Sequence, residues 1–315
     1  MPQIALITGS SSGLAVAFAR RLAALQYTLV LNYRDSKARC ESLAKQLTET
    51  HGIEAIAIQA DMRSADQIKQ MMDAVQIRYG RLDVLIHSAG PFIFRRKRLT
   101  DYEDDEWLNM IDGNLTSAFH LFKRAIPMMR PQGFGRIVTV GFSHVEDVPG
   151  WVYRSAYAAA KTGLASLTRS VALEERENGI TANMICPGDI RGSLKEASWD
   201  EDEEFSPLRT PIGEDLAHMI EVVVSRQAQY LTGNILSITG DVDVIGHFDT
   251  GKEEVFDAKT LAVGTPVWVI PWQAKATVMN RQDRANRRSI YTVEKHDKAA
   301  QFTIDQLIEV SPNGF

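Results

Sequence analysis

The chain has 315 residues, 44% of them hydrophobic and 24% charged, with a formal net charge of -5. That composition can fill the core of one large domain, or of one large and one small, and it gives no global attraction for nucleic acid or an anionic membrane. Two cysteines, Cys40 and Cys186, stand far apart and outside metal-type spacing, so neither a disulfide framework nor a metal site is expected. No apolar run reaches the roughly 18 residues of a membrane-spanning helix, and Met1-Pro2-Gln3 leads into Ile4 without a basic leader. A cytoplasmic protein that works on small molecules is the expectation.

The first apolar run, Ile4 to Ile7, reads as a strand. It is followed by Thr8-Gly9-Ser10-Ser11-Ser12-Gly13-Leu14-Ala15 and by a helix beginning near Ala15, with Phe18, Leu22 and Leu25 on its apolar side. Glycines in such a turn let backbone N–H groups and the positive helix end approach a pyrophosphate, although any strand-to-helix turn favours Gly and Ser. Further Val/Ile/Leu-rich runs follow at Thr28 to Asn32, Ile53 to Ile58, Leu82 to His87, Arg136 to Val140, Thr181 to Ile185 and Asn234 to Ile238. Amphipathic stretches lie between them. In Ala65 to Tyr79, for example, Ile68, Met71, Met72, Val75 and Ile77 recur at helical spacing and are expected on the face packed against a sheet. The alternation predicts a Rossmann-like α/β fold with a doubly wound parallel sheet over residues 1–246.

The pattern changes after about residue 246. A polar linker is expected over 247–257, and 258–315 reads as a small β module, most simply an SH3-like barrel. Its short segments are Pro266 to Ile270, Lys275 to Met279, Ser289 to Val293, Gln301 to Ile304 and Leu307 to Val310. Arg281, Arg284, Arg287 and Arg288 cluster between two of them, and Leu261 to Phe315 holds seven Lys/Arg against five Asp/Glu. Such a basic turn can meet RNA, an acidic partner or a neighbouring subunit; without interleaved aromatics, nucleic acid is the weaker choice and subunit packing the first. The module's partner stays open.

Tyr157 and Lys161 lie four apart in the helical segment Ser155 to Arg169, which puts them on one face about one turn apart. A phenol, ordinarily titrating near about 10, is a poor proton carrier at neutral pH unless a cation favours its charged form, and Lys161 is placed to be that cation. A solvated surface pair is the alternative. Order and context decide against it: Leu82-Asp83-Val84-Leu85-Ile86-His87-Ser88-Ala89-Gly90, Asp112-Gly113-Asn114-Leu115, Tyr157-Ala158-Ala159-Ala160-Lys161 and Cys186-Pro187-Gly188-Asp189-Ile190 follow the N-terminal turn in sequence. Together they resemble the short-chain dehydrogenase/reductase family, most closely its β-ketoacyl carrier-protein reductase type, over roughly residues 1–245. Three positions depart from the family pattern: Ala15 replaces a third glycine, His87-Ser88 replaces Asn-Asn, and Gly192 replaces a threonine.

The resemblance implies a nicotinamide-dependent enzyme acting on a C=O or CH–OH group, with Tyr157 as general acid or base assisted by Lys161. Asn114 would clamp a water linking Lys161 to solvent. The hydroxyl that polarises the substrate is less direct, because counting from the strand puts Phe142 at the family's serine and Ser143 one place later. Ser143 is the expected donor, the alternatives being its absence or a substitute in His144. The cofactor would lie against Thr8, Gly9, Ser11, Ser12, Gly13 and Leu14, with Asp61 and Met62 at the adenine. Ser88, Ala89 and Gly90 would form a backbone wall, and Tyr157, Lys161, Pro187, Gly188 and Ile190 would surround the nicotinamide. Tyr33 stands where an NAD enzyme would carry an acid and Arg34 follows it, which favours NADPH over NADH unless Asp35 takes the acidic role.

Substrate choice is expected to reside in Arg191 to Pro207, whose acidic run Trp199 to Phe205 is either a lid or a solvated loop. The family implies a homo-oligomer, a dimer or tetramer. The alternative to a carbonyl reductase is a nucleotide-binding regulatory or scaffold protein whose β module recruits a partner, suggested by Phe142, Ala15 and Gly192.

Overall fold

The computed structural model describes residues 2–93, 96–199 and 211–240, and the backbone of five strands beyond them. Strands β1 (Ile4–Thr8), β2 (Thr28–Tyr33), β3 (Ala55–Gln59), β4 (Val84–His87), β5 (Gly135–Val140), β6 (Ile180–Pro187) and β7 (Ile235–Ile238) form one sheet in the order β3-β2-β1-β4-β5-β6-β7. All its pairings are parallel. Parallel neighbours need crossover helices on the sheet faces, which is why β1, β2, β4 and β5 are mostly apolar and buried along their whole length. The crossovers are α1 (Leu14–Ala24), α2 (Lys37–His51), α3 (Ala65–Tyr79), α4 (Asp104–Ile111), α5 (Ser117–Met129), α6 (Ser155–Glu174) and α7 (Gly213–Val224).

The order runs outward in both directions from β1 and β4, which pair directly with Thr8 opposite His87. Their connections leave to opposite sides, so a crevice opens beyond their carboxyl ends. Between α4 and α5 the helix widens into one turn of π-helix over Asp112–Thr116, which carries Asn114. Such single wide turns recur at functional sites because the extra residue re-aims the backbone.

Helix α3 shows how local chemistry sets an element. The Ser64 side chain accepts a hydrogen bond from the Gln67 amide at its start, and Gly80 closes it in the left-handed conformation. Ile68, Met71, Met72 and Val75 are buried as expected, but Ile77 is 86% exposed. It lies two positions past Val75, roughly 200° round the helix, and so faces away from the sheet. Leu25, expected on the apolar side of α1 with the buried Phe18 and Leu22, is also partly exposed, because it caps the helix rather than continuing its stripe.

Beyond the sheet, β8 (Pro266–Val269), β9 (Ala274–Arg284), β10 (Arg287–Lys295), β11 (Lys298–Thr303) and β12 (Leu307–Glu309) pair antiparallel in the order β11-β10-β9-β8-β12. The expected linker 247–257, the acidic stretch 200–205 and the side chains of the basic turn lie outside the described residues. Truncating Ile68 to Ala should cost about 2–5 kcal/mol in urea unfolding, whereas Ile77→Ala should stay within about 0.5 kcal/mol of the parent, since only the first opens a cavity.

Candidate active site

The crevice is built on the turn between β1 and α1. Gly9 and Gly13 take φ of 71° and 72°, which side-chain-bearing residues rarely adopt. A Cβ at Gly9 would also press on Ala89 Cα at 3.0 Å, so glycine lets this turn close on the end of β4. At Gly13 the space is open except for Lys195 Cδ at 3.8 Å. No acidic residue stands in the first turn of α1, so no side chain of the helix itself offsets its positive end. An oxyanion already sits there: Glu196 Oε1 accepts from the Gly13 amide at 2.8 Å. Arg39 holds the same carboxylate at 2.6 and 2.7 Å, and Arg20 donates to the Glu196 carbonyl at 2.6 Å. The turn therefore fits an oxyanion by its amide and helix-end charge, and a pyrophosphate there would take the place of the Glu196 carboxylate.

The other expected cofactor residues divide into those on the crevice wall and those engaged elsewhere. Ser11 is half-buried and Ser12 exposed on the open side, followed by Leu14 at the start of α1. The Thr8 hydroxyl is turned inward, accepting from the Ser88 and Ala89 amides at 3.2 and 3.0 Å, so it supports the wall rather than facing the crevice. Gly90 comes so close to Asn114 that a Cβ there would strike its Oδ1. Arg34 is exposed and ion-paired with Asp35 at 2.6 Å, which puts the two rival residues for the ribose end side by side. Asp61 grips Arg63 at 2.6 Å, and that hydrogen bond holds its carboxyl below the usual range; Met62 beside it is buried. Gly188 donates to Ile238 of β7, and the Ile190 amide turns back to the Gly188 carbonyl, tightening the chain after Pro187.

Tyr157 and Lys161 share one face of α6, with Lys161 Nζ 5.7 Å from the centre of the phenol ring. Nζ is buried and donates to the Val140 carbonyl at 2.8 Å. Burial pulls the lysine down to about 8. Burial also raises the phenol above its ordinary range, with Cys186 adding to the rise and Arg154 opposing it. Of the two neighbouring cations it is Arg154, not Lys161, that opposes the rise of the phenol. In this arrangement the phenol keeps its proton at neutral pH. Cys186, pushed up to about 12 by burial, is no nucleophile.

Asn114 is fully buried and donates to the Pro91 and Met110 carbonyls, both at 3.0 Å. Phe142 lines the phenol at 6.0 Å between ring centres, and Ser143 is fully buried one residue further along. His144 is half-exposed and faces Asp147 at 3.6 Å. His144, Val148 and Tyr153 all take positive φ, and for the β-branched Val148 that conformation is strained. The loop that bears them delivers Trp151, 5.8 Å from the Tyr157 ring, while Phe92 meets that ring edge-on at 4.9 Å. Arg154, missed in the sequence, is buried with its guanidinium 5.2 Å from the Phe92 ring and 5.4 Å from the Trp151 ring. Its place directly before the Tyr157 helix was the available signal. For Glu196, 183 residues from Gly13, there was none.

Residues 3–203 match the family described as short chain dehydrogenase. The Bacillus subtilis (strain 168) protein named "Putative oxidoreductase YtkK" is 43% identical over 253 residues, which is 78% of this chain and 98% of that one. The 3-oxoacyl-[acyl-carrier-protein] reductase FabG of Staphylococcus aureus (strain Mu50) is 33% identical over 76% of this chain and 98% of its own. Among solved structures, levodione reductase superposes with a TM-score of 0.66 at 28% identity, covering 76% of this chain and 96% of that one.

The depressed Lys161 carries a pH signature. Below pH 8 the folded protein bears a buried charge that the unfolded chain solvates freely. As pH rises from about 8 to the unfolded value near about 10.5, the folded form sheds that proton first and its stability rises. Lys161→Met should therefore be more stable than the parent below pH 8, by up to about 3 kcal/mol, and the gap should close by about pH 10.5 in urea unfolding at stepped pH.

Proposed function

Since this chain belongs to the short-chain dehydrogenase family and is a dehydrogenase/reductase, we propose that it reduces a small-molecule carbonyl to the alcohol, or the reverse, with NADPH, using Tyr157 as general acid and base. The observation that carries this reading is the placement of Tyr157 and a buried Lys161 on one helix face, in the chain whose β1–α1 turn already seats an oxyanion. When bound, the nicotinamide supplies the hydride. Tyr157, kept protonated by burial, gives its Oη proton to the carbonyl oxygen in the reducing direction and recovers it by way of Lys161. Asn114 holds the water that links Lys161 to solvent, and Ser143 polarises the carbonyl.

Gly9, Ser11, Ser12, Gly13 and Leu14 cradle the pyrophosphate, with Thr8 behind them. Arg34 leaves Asp35 for the 2′-phosphate; Asp61 and Met62 flank the adenine. Ser88, Ala89, Gly90, Pro187, Gly188 and Ile190 complete the wall. The enzyme works in the cytoplasm as a dimer or tetramer, a reading supported by the exposed Leu99, Leu108 and Phe119. No described helix is long and apolar enough to cross a membrane. Residues 258–315 are read as a small β module of SH3-like type after the linker 247–257, and residues 1–246 as the catalytic domain.

NADPH oxidation is to be followed across ketones, aldehydes, quinones and acyl thioesters. Tyr157→Phe should lower turnover by at least about 100-fold while leaving NADPH affinity within about threefold, because only the proton-donating group is removed. Arg34→Ala should weaken NADPH about tenfold and leave NADH unchanged. Turnover that survives in Tyr157→Phe would remove the tyrosine from the mechanism.

A further inference from the structure

His87 ends β4, fully buried, with both ring nitrogens engaged: Nδ1 is 3.0 Å from Thr8 Oγ1 and Nε2 is 3.0 Å from Ser117 Oγ. The protons along this chain can be assigned. Thr8 Oγ1 accepts from the Ser88 amide at 3.2 Å and the Ala89 amide at 3.0 Å, which uses both its lone pairs. Its own proton must then go to His87 Nδ1. With Nδ1 an acceptor, the ring proton sits on Nε2 and is donated to Ser117 Oγ. Ser117 in turn donates to the Gly113 carbonyl at 2.9 Å, one residue before Asn114. A proton on Nδ1 would face an oxygen with no lone pair left, so neither the other tautomer nor the doubly protonated ring fits. Burial, helped by Lys161, drives the ring down to about 3, while the Asn114 backbone acts the other way. The neutral Nε2–H form therefore holds across the physiological range.

Each end of the chain fixes something the reaction needs. At one end, Thr8 binds the end of β4 to the turn that closes on Ala89. At the other, Ser117 fastens the π-turn at the Gly113 carbonyl, next to Asn114, whose amide nitrogen donates to Pro91 and Met110.

We propose that His87 is a positioning residue that locks the cofactor turn and the Asn114 turn to one another through a one-way hydrogen-bond chain running from Ser88 and Ala89 through Thr8, His87 and Ser117 to Gly113. This rests on reading the crevice as an NADPH site. Two isosteric halves of the imidazole separate the arms: His87→Asn keeps an acceptor for Thr8 but cannot reach Ser117, and His87→Gln reaches Ser117 but leaves Thr8 without an acceptor.

In the full chain, NADPH affinity should stay within about threefold in His87→Asn and weaken about tenfold in His87→Gln. Turnover should fall about tenfold in His87→Asn and equally in Ser117→Ala. Equal losses of affinity and turnover in both His87 variants, or no loss in either, would mean ordinary core packing and overturn the proposal. Titration of the unaltered protein with NADPH decides the functional reading separately. Long-range proton–nitrogen NMR on protein labelled at histidine then reads the chain without any ligand. One ring, identified by its loss in His87→Gln, should stay in the neutral Nε2–H form from about pH 5 to about pH 9 and lose that tautomer in Thr8→Val. A titrating ring or an Nδ1–H tautomer sinks the proposal even if NADPH binds.

Discussion

The two amide hydrogen bonds that Ser88 and Ala89 give to Thr8 Oγ1 tie the carboxyl ends of β1 and β4 together. At the switch point the connections from β1 and β4 depart to opposite faces, so no helix covers the gap between their ends. Backbone amides in that gap would lie unpaired or drift apart. A threonine hydroxyl is small enough to sit between the strands and accept both, and it can still donate onward to His87. Gly9 then packs on Ala89, and the β1–α1 turn inherits the rigidity of the sheet.

Around this seam the protein spends stability on buried polar groups. Lys161, His87 and Asn114 are all buried, and each is held by named partners: the Val140 carbonyl, two hydroxyls, and two backbone carbonyls. A buried polar group costs several times more unpaired than paired, so these partners restrict how the three side chains can lie, while the Asn114 Oδ1 is left buried without one. Burial also sets the acid–base character. It drives phenol and amine toward their neutral forms, raising Tyr157 and pulling Lys161 down to about 8. The aromatic surroundings, Phe92, Phe142 and Trp151, are what make that environment dry.

Much of the fold was legible because its signals are local. Short continuous apolar runs for strands buried on both faces and period-3.6 stripes for helices follow from side-chain direction, which is why Ala65 to Tyr79 was found to the residue. Ile77 and Leu25 failed because apolar identity says nothing about which way a helix end faces. Similarly, Tyr157 and Lys161 were readable from a spacing of four, since one helical turn brings them together wherever the helix lies.

What the sequence determined by itself was thus the alternation that builds a parallel sheet, the glycine turn, and the Tyr157–Lys161 face, all properties of short segments. Tertiary structure alone decided that Glu196 seats on Gly13, that Arg154 rather than Lys161 pulls on the phenol, and that His87 joins Thr8 to Ser117. The Glu196 and His87 contacts link residues from 30 to 183 positions apart, while Arg154 acts on Tyr157 from just before its own helix. Their strength depends on burial and on which partners remain unsatisfied, quantities that exist only once the chain has packed.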